Sequence, residues 1–381
     1  MKMIKVGITG QVGFVGTHLF NTINLDKEQF ETIPFEDSFF SDKSLLEKWV
    51  SKCDVIVHLA ALNRHNDPDV IYKTNILLVK QLIIALESTN AIPHVLFSSS
   101  SQEERDNPYG KSKKEGRRLF TNWAQKNNAK FTGLVIPNVF GPFGHPYYNS
   151  VVATFCHQLS HNEQPRIDID GELKLIYVGE LVNIILKQIL EAFEIDKRDY
   201  IIDRININHT ATLKVSELLK KIEGFKNNYL TKGIIPNLID EFDKNLFNTF
   251  FCYIDHKTFF PFNLTKNSDN RGSFVETMKL CSGGQISFST TITGVTRGNH
   301  YHTRKAERFA VIKGKALIEL RKIGTKEVIS FELNGENPSF IDMPIWYTHN
   351  IKNSGSEELY TIFWINEFFD QNDPDTFFEK V

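Results

Sequence analysis

A glycine turn close to the N-terminus limits this chain to few folds. The apolar run Ile4–Thr9 leads directly into Gly10-Gln-Val-Gly13-Phe-Val-Gly16, and an amphipathic segment over Thr17–Ile23 follows. Strand, glycine turn and helix in that order predict the opening unit of a parallel α/β sheet. Without side chains the backbone can approach a pyrophosphate, and the helix N-terminus offers N–H donors and a positive dipole end. The expected ligand is a dinucleotide, seated on Gly10, Gly13, Phe14, Val15 and Gly16.

About twenty residues further on, Glu36 and Asp37 stand where an acid holds a ribose hydroxyl. An acid there disfavours a 2′-phosphate and points to NAD; two solvated loop carboxylates account for the pair equally well. Asp54-Val-Ile-Val-His58-Leu-Ala60-Ala61 is a continuous apolar run ending in small residues, as expected of a buried parallel strand beside a ligand, and adds Leu59 and Ala60 to the cofactor site. Helical sequence covers Val70–Ser88. The next strand, His94–Ser101, ends in four serines, at the strand end where ligands of such sheets gather. Tyr109-Gly-Lys-Ser-Lys113 then opens a helix running to about Gln125, which sets Tyr109 and Lys113 one turn apart on one face. The ammonium is expected to lower a phenol pKa that is otherwise about 10, so that Tyr109 exchanges a proton with a carbonyl or hydroxyl oxygen. Ser100 is placed to hydrogen-bond the same oxygen.

Around Asp255–Thr265 the pattern changes from helices alternating with strands to short strands with frequent turns. The boundary is expected there, with residues 1–258 forming one domain and 262–381 a small antiparallel barrel. Within the barrel, Gly294 and Gly314 permit turns on either side of His300 and His302, whose alternation points both imidazoles to one face. Glu307 is expected to reach back from the neighbouring strand, and His349 comes from a later one. An isolated His-x-His pair is commonly two surface imidazoles, but three histidines and a carboxylate form a set suited to a divalent transition metal.

With 381 residues, two or three domains are expected. The net charge of −2, with both signs mixed throughout, argues against a nucleic-acid or membrane surface and leaves small molecules or other subunits as partners. Four cysteines without C-x-x-C spacing suit reduced thiols in a cytoplasmic protein. No uncharged stretch is long enough to span a bilayer.

Thr9-Gly10-x-x-Gly13-x-x-Gly16, His58-Leu-Ala-Ala, Ser98–Ser101 and Tyr109-x-x-x-Lys113 together resemble the extended short-chain dehydrogenase/reductase family. That resemblance implies a Rossmann-type doubly wound α/β domain with a sugar-nucleotide lobe. Tyr109 would be its acid/base, Lys113 the activator and ribose ligand, and Ser100 the carbonyl-polarising hydroxyl. Pro137-Asn138-Val-Phe-Gly141-Pro142 is similar to the family's segment beside the nicotinamide and sugar nucleotide, with Val135 at a position that is often arginine. Tyr148-Asn149-Ser150 is a candidate substrate-side loop. Tyr177-Val178-Gly179-Glu180 resembles the family's Tyr-Val-Asp-Asp segment, although ordinary helix capping explains it as well.

In the second half, the spacing of His300, His302, Glu307 and His349 resembles the cupin signature, with Trp346 and Pro338 where glycine is usual. The segments around Arg271 and Arg297 resemble cupin-type epimerases of nucleotide-linked 4-keto-6-deoxy sugars, which implies sugar contacts for both arginines. The same likeness implies that His300 is a proton-abstracting base, a role that conflicts with metal ligation.

The whole chain resembles bifunctional capsular polysaccharide enzymes of the UDP-N-acetyl-L-fucosamine pathway. Asn107-Pro-Tyr109-Gly-x-Ser-Lys113, Asn149-Ser-Val-x-Ala-Thr-Phe-Cys156, Gly298-Asn-His300-x-His302 and Asn366-Glu-x-Phe-Asp370 carry the likeness. It implies C3 epimerisation of a UDP-2-acetamido-2,6-dideoxy-4-hexulose by a zinc-containing cupin domain. NADPH-dependent C4 reduction to UDP-N-acetyl-6-deoxy-L-talosamine would follow, in a homodimer or higher oligomer. Glu36 leaves the cofactor open between NADP and NAD. The alternative is a single-function sugar-nucleotide 4-ketoreductase or 4-epimerase whose cupin is a structural, dimerising module.

Overall fold

The structure, a computed structural model, describes residues 3–194, 202–269, 272–275, 277–281 and 283–381. It comprises two compact units, Met1–Val151 with Gly171–Lys214, and Val152–Asp170 with Val215–Val381.

The first unit alternates β1 (Ile4–Thr9), α1 (Phe14–Ile23), β2 (Phe30–Ile33), α2 (Lys43–Val50), β3 (Val55–His58), α3 (Pro68–Thr89), β4 (His94–Ser100), α4 (Pro108–Asn127) and β5 (Phe131–Ile136). After β6 (Asn138–Phe140) comes α5 (Val151–Ser160), whose body belongs to the second unit. The chain returns with β7 (Glu172–Tyr177), α6 (Val178–Glu194), β8 (Ile202–Asn206) and β9 (Ala211–Lys214). Six strands in the order β2-β1-β3-β4-β5-β8 form a parallel sheet. The continuous apolar runs of β3 and β5 are buried at every position because helices cover both faces. One core, with Trp49, Leu82, Phe97, Phe120 and Trp123, packs on α2, α3 and α4; the other, with Leu19, Val57, Leu134 and Ile185, packs on α1 and α6. This is the doubly wound Rossmann-type arrangement the glycine turn predicts. The start of α4 is fixed by Asn107, whose Oδ1 accepts from the Gly110 N–H at 2.7 Å, and by Pro108 at the first helical position. That start puts Tyr109 in the first turn.

The second unit contains α5, α7 (Val215–Phe225), β10 (Ile234–Ile235), α8 (Glu241–Phe251) and α9 (His256–Phe259). Short strands follow: β11 (Phe262–Asn263), β12 (Lys266–Asp269), β13 (Gly272–Val275), β14 (Lys279–Leu280), β15 (Gln285–Thr291), β16 (Thr296–Tyr301) and β17 (Glu307–Lys313). The remainder are β18 (Lys315–Lys322), β19 (Val328–Asn334), β20 (Ser339–Met343), β21 (Tyr347–Asn353), β22 (Leu359–Ile365) and β23 (Phe377–Phe378). Two antiparallel five-stranded sheets, β11-β20-β17-β22-β15 and β19-β18-β21-β16-β23, build an all-β cupin-type barrel, while β12 pairs with β13 and β14 with β10. Gly294 and Gly314 adopt φ of 77° and 84°, the left-handed conformations their turns require.

The helices of this unit meet the barrel at a buried charge. Arg308 is fully buried on β17, directs Nε and Nη2 to the two Asp342 oxygens at 2.8 Å each, and donates from Nη1 to the Gly233 carbonyl at 2.7 Å. Its guanidinium lies 3.6 Å from the centroid of the Phe340 ring, and the Tyr229 hydroxyl donates to Asp342.

Candidate reduction site and metal centre

A cleft of about 490 Å³ lies at the carboxyl ends of β1, β3, β4 and β5, where a doubly wound sheet binds its ligands. Gly10 has φ 69°, and a Cβ there would stand 2.9 Å from the Ala60 nitrogen; one on Gly16 would stand 2.1 Å from the Gly10 oxygen. The turn is therefore closed to side chains. Helix α1 starts behind Gly13 with no side-chain cap, which leaves its first N–H groups to a ligand. A pyrophosphate fits this cradle. Gly10, Gly13, Phe14, Val15, Gly16, Leu59 and Asn138 all line the cleft. Ala60 does not: its N–H donates to Thr9 Oγ1 at 3.3 Å behind the turn, and Ala61 takes the place on the wall. Glu36 is exposed beyond the end of β2, outside the cleft walls, with its carboxylate accepting from the Ser38 hydroxyl at 3.4 Å.

The serines that end β4 have separate partners. Ser98 Oγ donates to the His58 carbonyl at 3.1 Å, Ser99 Oγ donates to the Glu103 carboxylate, and Ser100 Oγ accepts from the Gln102 N–H at 3.2 Å. Ser100, Tyr109, Lys113 and Asn149 share the cleft wall. Lys113 Nζ lies 5.6 Å from the centre of the Tyr109 ring and donates to the Ser98 carbonyl at 2.8 Å. Burial lowers the Lys113 pKa to about 7. The phenol departs from expectation: burial first, then the Tyr148 phenol, raises Tyr109 to about 12 instead of lowering it. The ammonium is itself desolvated and directed at a carbonyl, so it does not offset the burial of the phenol. Tyr109 thus keeps its proton at neutral pH, as a donor to a carbonyl oxygen must.

Tyr148 also lines the cleft, a place that its loop sequence did not single out from its neighbours. Its loop is held by Arg64, which donates to the Tyr148 carbonyl at 2.8 Å and to that of Tyr147, and by Asn149, which donates to the Asn63 carbonyl at 3.0 Å. Glu180 accepts from the Tyr177 N–H at 3.1 Å and the Thr210 hydroxyl at 2.6 Å, the capping role open to it from sequence.

In the barrel, His300, His302, Glu307 and His349 offer ligand atoms that all lie within 4.8 Å of one another. His300 pairs with His349 across β16 and β21. Glu307 comes not from the neighbouring strand but from β17 in the other sheet, so the cluster joins the two sheets across the barrel. A bulge at Gly298 and Asn299, with φ of 92° and 59°, shifts the register of β16. As a result Arg297, opposite Ile351, is on the same face as His300, opposite His349. Arg297 is exposed and donates to the Thr290 carbonyl at 3.1 Å; Arg271 lies outside the described residues.

His302 Nε2, Glu307 Oε2 and His349 Nε2 are buried without a directed hydrogen bond, although Glu307 Oε2 is 2.9 Å from His349 Nε2 and 3.3 Å from His302 Nε2. The outward nitrogens of His302 and His349 face the Asp375 and Tyr347 carbonyls, which turns Nε2 toward the centre. Burial works against the Glu307 carboxylate, but the two imidazoles outweigh it and hold its pKa low. Undirected buried donors converging on one point fit a divalent metal.

The profile of the NAD dependent epimerase/dehydratase family matches residues 6–203, and that of the polysaccharide biosynthesis C-terminal domain matches 267–377. The UDP-2-acetamido-2,6-beta-L-arabino-hexul-4-ose reductase of Pseudomonas aeruginosa is 31% identical over 377 residues, 98% of each chain. The crystal structure of the capsular polysaccharide assembling protein CapF from Staphylococcus aureus is 33% identical, covers 99% of this chain and 100% of its own, and gives a TM-score of 0.62. The chain is a CapF-type member of the NAD-dependent epimerase/dehydratase family. The match to CapF runs through both the α/β region and the barrel. The UDP-glucose 4-epimerase of Thermotoga maritima, 21% identical with a TM-score of 0.50, covers 59% of this CapF-type chain and 83% of its own, and shares the fold alone.

Proposed function

We propose that the protein is a bifunctional UDP-sugar enzyme of surface polysaccharide biosynthesis. Residues 262–381 would epimerise C3 of a UDP-2-acetamido-2,6-dideoxy-4-hexulose, and the cleft within residues 1–258 would reduce the C4 ketone to UDP-N-acetyl-6-deoxy-L-talosamine, toward UDP-N-acetyl-L-fucosamine. The observation that carries this reading is the presence, in one chain related along its length to a 4-hexulose reductase, of both the Ser100–Tyr109–Lys113 constellation and the buried His/Glu cluster. When bound, NADPH or NADH would supply hydride, and a divalent metal, zinc foremost, would supply Lewis-acid polarisation of a carbonyl oxygen.

The chain's own groups do the rest. The glycine turn with Phe14, Val15 and Leu59 seats the dinucleotide, and Glu36 reaches its adenosine ribose. Lys113 holds the other ribose. Ser100 donates a hydrogen bond to the C4 oxygen while Tyr109, protonated at neutral pH, delivers its phenolic proton there. Asn138 and Asn149 position the sugar nucleotide. In the barrel, His302, Glu307 and His349 form the three-ligand set of a catalytic metal site, and His300, the half-buried member, faces the C3 proton as base in place of ligating the metal. Arg297 contacts the sugar, as Arg271 would. Chemistry fixes the order: the ketone acidifies the C3–H, and its reduction removes that acidity.

The test is cofactor oxidation by the purified protein with the UDP-linked 4-keto-6-deoxy-N-acetylhexosamine, NADPH and NADH in parallel. Tyr109→Phe should lower turnover about 10²–10⁴-fold. Undiminished oxidation in that variant contradicts the assignment.

A further inference from the structure

One buried carboxylate of the first unit has no part in this chemistry. Glu103 lies in the 3₁₀ turn Ser101–Glu104 between β4 and α4, and its side chain is 1% exposed. An ionised carboxylate is buried at high cost unless it is paired and hydrogen-bonded. Glu103 is both: Arg117 donates from Nε to Oε1 and from Nη2 to Oε2, 2.8 Å each, and Oε1 also accepts the Ser99 hydroxyl. Arg204 of β8 approaches Oε2 to 3.8 Å. Burial raises the carboxyl pKa, but Arg117 and Ser99 more than offset it and keep the group ionised.

What this network joins is more telling than its strength. Ser99 precedes Ser100 on β4, and Arg117 follows Lys113 by one turn of α4. Two more contacts stiffen the connection. Gly110, next to Tyr109, packs so closely that a Cβ there would stand 2.0 Å from the Gln102 carbonyl oxygen. Asn107 caps Gly110 and also donates from Nδ2 to Gln102 Oε1 at 3.4 Å. Residues 101–108 therefore form a brace between the serine hydroxyl and the phenol. We infer that Glu103 and Arg117 are positioning residues for ketone reduction, acting through Ser99 to fix Ser100 against Tyr109 and Lys113. The inference rests on the reduction assigned to those three groups.

Ser99→Ala separates positioning from simple support, because it removes the link to β4 and leaves the ion pair intact. Its kcat for cofactor oxidation should fall about 10- to 10²-fold, the effect of a displacement near 1 Å, with both KM values unchanged. The double variant Glu103→Leu/Arg117→Met replaces the ion pair with an apolar one and should fold while keeping the kcat loss. Wild-type kcat in Ser99→Ala, or full activity in the folded double variant, overturns the inference; if the double variant does not fold, Ser99→Ala decides alone. Tyr109→Phe is measured alongside. If it still reduces the ketone, the assignment of the reduction fails and the inference with it; an inactive Tyr109→Phe beside a wild-type-like Ser99→Ala overturns the inference alone.

Discussion

Lys113 shows at the scale of one residue how the reduction site is built. Burial brings its pKa from 10.5 to about 7, so the unfolded chain binds this proton more tightly than the folded one. The group therefore opposes folding most below pH 7, and stability rises as pH increases from about 7 to about 10.5. In cofactor-free protein the urea midpoint should climb across that window, and Lys113→Met should climb less; equal slopes would contradict the buried ammonium. Trp346 is a different kind of departure. It occupies a left-handed φ of 62°, where the cupin pattern has glycine, at a cost of about 1–3 kcal/mol. Burial of the indole, stacked on Tyr301 with ring centres 5.7 Å apart, and the bond from the Trp346 backbone N–H to the His302 carbonyl at 2.7 Å offset that strain. The turn survives, and His349 keeps its place. His300 with His302 and Glu307, and Tyr109 with Lys113, could be singled out by local spacing, Ser100 by its strand end, and His349 only as a later imidazole. Glu103 was not legible, because the burial of a loop acid is decided by how β4 and α4 pack, which brings Ser99 and Arg117 to it.

At the scale of elements, β3 was legible as a continuous apolar run, and α4 as the helix that opens at Tyr109 and runs to about Gln125. The sheet to which β17 belongs was not. Pairing with β20 and β22, instead of β16, is a choice among distant strands, and it carries Glu307 across the barrel to the histidines. The opposite face of the same strand holds Arg308, whose charge is balanced by Asp342 in a site where neither side chain is more than 3% exposed. Removing one partner of such a pair leaves a buried charge uncompensated. Asp342→Asn should lower the stability of the second unit by about 3–5 kcal/mol in denaturant titration. A loss below about 1 kcal/mol would mean that water reaches Arg308.

For the whole molecule, the central claim is that one chain holds two sites for successive steps on one sugar. The full-length relationship to CapF and to a 4-hexulose reductase supports the pairing of a reductase unit with a barrel. The claim that the barrel does chemistry rests on the four converging side chains. The most direct measurement is deuterium uptake at C3 of the UDP-linked 4-keto sugar in D2O, followed without nicotinamide cofactor. Deuterium should enter C3 in the wild type and in Tyr109→Phe. It should be lost in His302→Ala or Glu307→Ala and after removal of the metal by a chelator. Oxidation of the cofactor by metal-loaded protein with no exchange at C3 would contradict the account and leave a reductase carrying a structural barrel.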